Sequence, residues 1–192
     1  MKKIISLFQR NYDTDRLVRN EVVPGAEWVI AGEGIATVKF DGTCCLVKDH
    51  KLFRRYDVKH GKETPVGFIP AQDPDPVTGY WPGWIAVGDG PEDKYHREAY
   101  YFMGNIGCSL PDGTYELCGP KIQGNPESLE QHQLIKHGES ILKTEEVPRE
   151  FNALREWLAT QNIEGIVWHR GNGDMVKIKK KDFGLKRKNE TS

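Results

Sequence analysis

The stretch Ala36-Thr37-Val38-Lys39-Phe40-Asp41-Gly42-Thr43 ends a β-branched run with an Asp-Gly pair, as expected for a strand followed by a tight turn. Short β-branched or aromatic runs recur along the chain and are predicted as strands: Ala36–Phe40, Cys44–Lys48, Leu52–Tyr56, Ala99–Met103, Thr114–Cys118, Gly165–His169 and Met175–Lys179. The first two runs are predicted to form a hairpin, and so are the last two, around Gly171-Asn172-Gly173-Asp174. The pattern predicts an α+β fold with antiparallel sheets rather than alternating βαβ units.

Fewer segments have helical patterns. A helix is predicted between Pro148 and Asn162, because its apolar residues recur at helical spacing. A second helix is predicted over 127–137, ending at Gly138. The Pro-, Gly- and Asp-rich residues 65–92 are interpreted as a long ordered loop.

Length and charge limit the possible organisation. The 192 residues, 38% of them hydrophobic, suit one globular domain over 1–192. The formal net charge is -1, yet 177–188 holds seven Lys or Arg against one acid, Asp182. This basic end, with a C-terminal tail over 180–192, indicates an anionic partner such as phosphate, or else a solvated terminus. Five cations of the tail are candidates for gripping nucleic acid: Lys180, Lys181, Lys186, Arg187 and Lys188.

The cysteines and the apolar runs favour a cytoplasmic protein. None of the four cysteines forms a Cys-x-x-Cys pair, so reduced thiols are expected rather than a zinc or disulfide framework. The N-terminal apolar run is too short for a secretory signal. No stretch approaches the roughly 20 apolar residues that span a bilayer, so no membrane association is expected.

Lys39 is the first candidate for chemistry. A lysine at a strand end, next to a turn whose Gly42 lets backbone approach a ligand closely, can attack phosphorus once its amine is neutral. The ordinary pKa of about 10.4 must then be lowered by nearby cations or a metal ion. An exposed hairpin turn is the alternative interpretation.

Further charged residues stand at strands in a suggestive order. One of the two arginines Arg54 and Arg55 could hold a phosphate through its fork of donors. Strand alternation places Glu116 opposite its apolar neighbours, and Glu164 directly precedes a strand. Lys177 and Lys179 share one strand face, where they repel each other unless an anion lies between them. Taken singly, each of these residues could equally be an ordinary surface charge.

Together these strings resemble the covalent nucleotidyltransferase superfamily of ligases and RNA-capping enzymes, whose motifs follow the same order. Further strings are similar to a small ATP-dependent RNA ligase family. That family includes a vertebrate enzyme that joins 5′-phosphate and 3′-hydroxyl RNA ends. The similar strings are Asp41-Gly42-Thr43-Cys44-Cys45, Pro82-Gly83-Trp84, Gly124-Asn125-Pro126, His137-Gly138, Ile163–His169 and Phe183-Gly184-Leu185. DNA ligases usually carry an arginine where this chain has Cys44, which argues against a DNA ligase.

The resemblance implies the adenylyltransferase-domain fold of DNA/RNA ligases and mRNA-capping enzymes: two antiparallel β-sheets with flanking helices and ATP held between the sheets. It also implies three steps. Lys39 attacks the α-phosphate of ATP and releases pyrophosphate, the AMP moves to an RNA 5′-phosphate, and the 3′-hydroxyl displaces AMP. No separate oligonucleotide-binding domain is expected after Lys179.

The resemblance also implies roles for the remaining motif residues. Lys177 and Lys179 would neutralise the α-phosphate, and Glu164 would hold Mg²⁺ or Mn²⁺. Glu116 would contact the ribose or the metal, and Arg55 would face phosphate. Asp41 would order the turn, so that Asp41 and Gly42 join the nucleotide-binding set.

Two other functions stay open. A capping-type guanylyltransferase would use the same lysine chemistry with GTP, and a relative that only binds nucleic acid would keep the fold without activity. We expect Glu164 and Lys177 to act in chemistry rather than in folding, because the other residues of their strands supply the core.

Overall fold

A computed structural model describes residues 4–187 and contains three α-helices and twelve strands within that range. The strands are Ile5–Ser6 (β1), Phe8–Arg10 (β2), Val18–Val22 (β3), Ile35–Lys39 (β4), Thr43–Lys48 (β5), Lys51–Val58 (β6), Ile69–Pro70 (β7), Trp81–Ala86 (β8), Gly113–Cys118 (β9), Gln133–Lys136 (β10), Gly165–His169 (β11) and Met175–Lys179 (β12). The helices are Glu27–Ile30 (α1), Lys94–Asn105 (α2) and Phe151–Thr160 (α3), with 3₁₀ turns at Pro91–Asp93, Thr144–Glu146 and Lys180–Phe183. The predicted α+β class is confirmed.

The described chain divides into two compact units. Residues 41–137 form one, named here the central unit, and residues 4–40 with 138–187 form the other, the terminal unit. The Lys39-Phe40-Asp41-Gly42 string therefore passes from one unit into the next along the chain.

The terminal unit is built on a four-stranded sheet in the order β1-β12-β11-β4. β1 runs parallel to β12, and the other pairs are antiparallel. One face of the sheet is apolar, with Ala36, Ile166 and Ile178 fully buried. Leu154 and Leu158, one turn apart on α3, join the same core, so the helix forms because its apolar stripe has this face to cover.

The central unit is built on a six-stranded antiparallel sheet in the order β10-β9-β5-β6-β8-β7. Its core contains Cys45, Val47, Tyr115 and Leu117, which lie on one face of β5 and β9. Ala99 of α2 belongs to the same core. The helix therefore covers one face of this sheet, and the opposite face, called here the polar face, carries Cys44, Glu116 and Arg55.

The hairpin around Gly171–Asp174 is confirmed, since β11 and β12 pair antiparallel from His169↔Met175 onward. The hairpin predicted around Asp41-Gly42-Thr43 is wrong, because β4 pairs with β11 whereas β5 pairs with β6 and β9. The other edge of β4 is already bonded to residues 140–142: Val38 N donates to Ser140 O at 2.9 Å, and Leu142 N donates to Ala36 O at 2.9 Å. The Asp-Gly turn therefore changes sheets instead of reversing within one.

Three other element predictions are wrong, each for an identifiable reason. Residues 99–103 lie in α2 rather than in a strand, because Tyr95, Ala99 and Met103 recur at helical spacing and pack on the core. Residues 127–137 contain β10 instead of a helix, since backbone pairing with β9 outweighs local propensity. The predicted loop at 65–92 contains β7 and β8, which extend the sheet from β6.

The basic end differs from a uniformly exposed tail. Lys180 and Arg187 are only 2% and 4% exposed. Lys180 Nζ donates to Gln161 O, and Arg187 Nη2 donates to Asn162 O. Lys181 and Lys186 are exposed, and Lys188 lies outside the described residues. Within residues 4–187, no helix is both long enough and apolar enough to cross a membrane.

Candidate active site

The polar face of the terminal sheet gathers three lysines. Gly165, at the start of β11, lies opposite Lys39 of β4 on one side and Lys179 of β12 on the other. Lys177 lies two residues before Lys179, opposite Val167. Because side chains alternate along a strand, all three lysines point away from the apolar core. The predicted shared face of Lys177 and Lys179 is confirmed, and Lys39 joins it.

Glu164 binds two of these lysines at once. Its Oε2 lies 2.5 Å from Lys39 Nζ, and its Oε1 lies 2.7 Å from Lys179 Nζ. The glutamate side chain is 8% exposed, and the two lysine side chains are 19% and 20% exposed. Burial alone would raise the pKa of Glu164, but the charges and hydrogen bonds of Lys39 and Lys179 outweigh it and lower the pKa. The carboxylate is therefore ionised at neutral pH.

Lys177 is the least compensated cation of this group. Burial is the main cause that lowers its pKa to about 8, and the like charges of Lys179 and Lys39 lower it further. Asp182 and Glu164 act in the opposite direction but do not cancel these effects. With three lysines against one glutamate, the polar face suits an anion, and perturbed ionisable groups of this kind cluster at functional sites.

Gly165 and Asp182 were not singled out from the sequence, although both support this cluster. A Cβ at Gly165 would lie 2.1 Å from Ile178 O, so the flanking strands approach closely only because this residue is glycine. Asp182 is 2% exposed, accepts a bond from Lys179 N at 2.9 Å and forms an ion pair with Arg10. The Glu164-Gly165 pair at a strand start is the sequence feature that could have indicated the role of the glycine. Asp182 gave no such indication, because it lies among the lysines and arginines of the basic end.

Glu116 lies in the central unit and is held by two partners. Its Oε1 accepts a bond from Gly42 N at 3.2 Å, and its Oε2 lies 2.8 Å from His137 Nε2. The other ring nitrogen, His137 Nδ1, lies 3.0 Å from Thr114 Oγ1. Tyr115 is buried, so the prediction that Glu116 points away from its apolar neighbours is confirmed. His137 was quoted within a family string but was not predicted as a site residue.

Asp41 and Gly42 are fixed by the central unit itself. Asp41 N donates to Glu127 Oε1 at 3.0 Å. A Cβ at Gly42 would lie 2.2 Å from Leu117 O, so the glycine is required for close approach to β9. Gly42 is therefore needed because strand β9 packs against it. The sequence had led us to expect that the glycine allows a ligand to approach the backbone.

Arg55 and Arg54 point to opposite faces of the central sheet. Arg54 is paired with Cys45 on the helix-covered face and forms an ion pair with Asp93 at 2.9 Å. Arg55 therefore lies on the polar face with Glu116. Its guanidinium lies 5.2 Å from the centre of the Trp84 ring, and its Nε donates to an aspartate, Asp57, at 3.1 Å.

The structure thus brings together Lys39, Glu164, Lys177 and Lys179 in the terminal unit. Asp41, Gly42, Arg55 and Glu116 belong to the central unit.

Comparison with known proteins identifies the class that this chain resembles, which is that of RNA ligases. In particular, the model of the RNA ligase 1 family matches residues 107–191, a segment that includes Glu116, Glu164, Lys177 and Lys179. Proteins named RNA ligase 1 from Mus musculus and Rattus norvegicus are each 29% identical over 221 residues, covering 79% of this chain and 67% of their own length. The Danio rerio protein of that name is 26% identical over 223 residues. The predicted resemblance to an RNA ligase family is confirmed.

Proposed function

We propose that this chain is an ATP-dependent RNA ligase that joins 5′-phosphate and 3′-hydroxyl RNA ends through a lysyl-AMP intermediate on Lys39. The observation that carries the proposal is the buried contact of Lys39 with Glu164, on a sheet face shared with Lys177 and Lys179. The resemblance to proteins named RNA ligase 1 supports RNA as the substrate.

In the first step the neutral amine of Lys39 attacks the α-phosphorus of ATP. A P–N bond forms, the bond from the α-phosphorus to the bridging oxygen of the β-phosphate breaks, and pyrophosphate leaves. Glu164 Oε2, 2.5 Å from Nζ, is placed to receive the amine proton. The AMP then moves to the RNA 5′-phosphate, and the 3′-hydroxyl finally displaces AMP.

Lys177 and Lys179 would stabilise the negative charge on the phosphate during transfer. Groups that already face a developing charge in a water-poor site need no reorganisation at the moment of reaction. A bound phosphate would also offset the unfavourable burial of the Lys177 cation, whose pKa of about 8 reflects that burial. The same cluster would therefore favour ATP binding and the subsequent chemistry.

Mg²⁺ or Mn²⁺ enters the proposal as the ion that accompanies ATP. Glu164 is the candidate protein ligand, since hard cations prefer oxygen donors. Both of its carboxylate oxygens lie within 2.7 Å of a lysine ammonium, so the residue fits a cation once one of these lysines moves or loses its charge. Conversion of Lys39 to its uncharged phosphoramidate would release one oxygen.

The family resemblance implies nucleotide-binding roles for residues of the central unit as well. Glu116 is the candidate for the ribose hydroxyls, because a carboxylate on a polar sheet face accepts hydrogen bonds from them. Arg55 is the candidate for a phosphate, because it lies on the same sheet face as Glu116, whereas Arg54 lies on the helix-covered face with Asp93. Asp41 and Gly42 would hold the turn that follows Lys39.

The deciding experiment incubates the purified chain with Mg²⁺ and either ATP or GTP, and measures the intact mass and the modified peptide. We expect one AMP adduct on Lys39. Lys39→Ala should form none, and neither should Lys39→Arg, because a guanidinium stays protonated. Lys48→Ala, which changes an exposed lysine of β5, is the matched control and should react like wild type.

The other outcomes separate the competing functions. A GMP adduct without an AMP adduct would favour a capping-type guanylyltransferase. RNA binding with neither adduct would favour an inactive relative. An AMP adduct of wild-type size in Lys39→Ala would contradict the assignment of the nucleophile. Sealing of 5′-phosphorylated RNA by the adenylated wild-type protein then tests the RNA step separately.

A further inference from the structure

The polar face of the central sheet carries three different metal-binding side chains. One ligand atom from each of Cys44, Glu116 and His137 can be chosen so that all three lie within 4.8 Å of one another. Their sequence positions are far apart, so the fold brings them together. The Glu116 side chain is 12% exposed and that of His137 is 22% exposed, which leaves the group shielded but reachable.

Strand register explains this convergence. Cys44 of β5 lies directly opposite Glu116 of β9. β10 pairs along the other side of β9 up to Lys136, and His137 N continues that ladder by donating to Thr114 O at 3.1 Å. All three side chains therefore point from neighbouring strands to the same face of one sheet.

Of the two adjacent cysteines, Cys44 and Cys45, only Cys44 is placed to bind a metal ion with Glu116 and His137. Cys45 alternates to the apolar face, opposite the buried Tyr115, and is fully buried. Its thiol therefore points away from Glu116 and His137 and cannot join them. Cys44 is half-buried beside a carboxylate and an imidazole.

The imidazole is already oriented for a ligand. The contact of His137 Nδ1 with Thr114 Oγ1 at 3.0 Å fixes the ring and directs Nε2 towards Glu116. Metal-binding histidines are typically held in this way through their second nitrogen. Gly42 N similarly holds Glu116 Oε1, while Oε2 stays on the side of His137.

We propose that Cys44, Glu116 and His137 form a binding site for Zn²⁺ or a similar borderline divalent cation, with water in the fourth position. Thiolate and imidazole donors select such ions, whereas Mg²⁺ takes oxygen ligands. Binding of the cation would take the place of the contact between His137 Nε2 and Glu116 Oε2 and would release the thiol proton of Cys44. Zn²⁺ binding can be tested without ATP or RNA, although the cation would occupy the Glu116 carboxylate that the ligase proposal assigns to the ribose hydroxyls.

The test titrates the metal-free full-length chain with Zn²⁺ against a chromophoric chelator, and records absorbance spectra with Co²⁺ as a substitute. We expect one bound Zn²⁺ and a thiolate-to-Co²⁺ charge-transfer band. Cys44→Ser and His137→Ala should each weaken Zn²⁺ binding at least about 10-fold, the smaller effect known for changes around metal ligands. Cys44→Ser should also abolish the band.

The controls change the same residue types outside the cluster. Cys108→Ser and His60→Gln alter exposed side chains and should leave affinity and spectrum unchanged. Thermal melting of each metal-free variant checks that it is folded. Three results would each overturn the site: no Zn²⁺ binding by wild type, binding that survives both cluster variants, or displacement of the Zn²⁺ by millimolar Mg²⁺.

Discussion

At the scale of single residues, the charge of Lys177 should destabilise the folded protein at neutral pH, whereas the charge of Glu164 should stabilise it. Burial lowers the pKa of Lys177 to about 8, so between about pH 8 and the usual lysine pKa of about 10.4 the folded state binds fewer protons than the unfolded chain. The contribution of this residue to stability therefore rises with pH across that window. The pKa of Glu164 is lowered instead, so its contribution is full above the ordinary carboxylate pKa and falls as the pH drops below it.

Lys177→Met should therefore keep or increase the free energy of unfolding at pH 7, by on the order of 1–2 kcal/mol, because it removes a half-buried and repelled cation. The gain should shrink as the pH approaches 10, where the wild-type lysine is neutral. Denaturant unfolding at both pH values measures this change. A loss of stability at pH 7 would contradict the unfavourable burial of this cation.

Glu164→Gln is the complementary change in the same assay, and it should lower the free energy of unfolding at pH 7 by about 1–3 kcal/mol, since it leaves Lys39 and Lys179 without their counter-charge. Because of the two ion pairs, we now expect Glu164 to contribute to stability as well as to chemistry. Equal stability of Glu164→Gln and wild type would show that Glu164 acts only in chemistry.

At the scale of elements, β11 depends on a glycine at its first residue. A Cβ at Gly165 would lie 2.1 Å from a backbone oxygen of β12 and 2.8 Å from Lys179 Cα, and neither atom belongs to a flexible side-chain end. Gly165→Ala should therefore separate the strands and cost about 1–3 kcal/mol of stability, the range known for overpacking. Adenylation of Lys39 should slow as well, because Lys39 and Lys179 both lie opposite this residue.

Gly171→Ala is the matched control for this change. It adds the same methyl group in the turn after β11, where a Cβ would meet no atom within 4 Å. Its melting temperature and its rate of adduct formation should stay near those of wild type. Similar melting temperatures for the two variants would show that β11 and β12 can move apart at little cost.

Some of these elements could be predicted from the sequence alone, and others could not. The strands at 165–169 and 175–179 were predictable, because alternation and an Asn-Gly turn agree with their tertiary pairing. The sheet change at Asp41 was not predictable, since it depends on residues 140–142 occupying the edge of β4. Likewise, alternation could place Glu116 on a polar face, but its bond to His137 depends on the distant strand β10.

At the scale of the whole molecule, the basic end contains two kinds of cation. The chain has a net charge of only -1, so sequence-independent binding of RNA would depend on local clusters of positive charge. Lys180 and Arg187 donate to backbone oxygens of Gln161 and Asn162 and are buried. Lys181 and Lys186 are exposed and can reach phosphates. The charge density of the sequence could not separate buried from exposed cations, because burial depends on how the chain packs in three dimensions.

Replacing Lys181 and Lys186 together with Gln should weaken RNA binding and reduce its dependence on salt. Each lost phosphate contact with a single strand lowers the slope of log affinity against log salt by about 0.7. The melting temperature and adenylation of Lys39 should not change, since both side chains are exposed. Replacing Lys180 and Arg187 with Gln should instead lower the melting temperature, because two backbone oxygens lose their donors.

Lys59 and Lys62, two exposed lysines of the central unit, provide the matched control. Their double replacement with Gln changes the net charge equally at another surface. If it alters the salt dependence of RNA binding as much as the Lys181 and Lys186 variant does, overall charge rather than the basic end governs binding. If only the Lys181 and Lys186 variant flattens that dependence, RNA phosphates contact the segment that follows the lysine cluster. Ligation by the Lys181 and Lys186 variant should then remain near normal at low salt and fail at moderate salt, because the RNA-dependent steps lose phosphate contacts. The proposed adenylation of Lys39 needs no RNA and should not change.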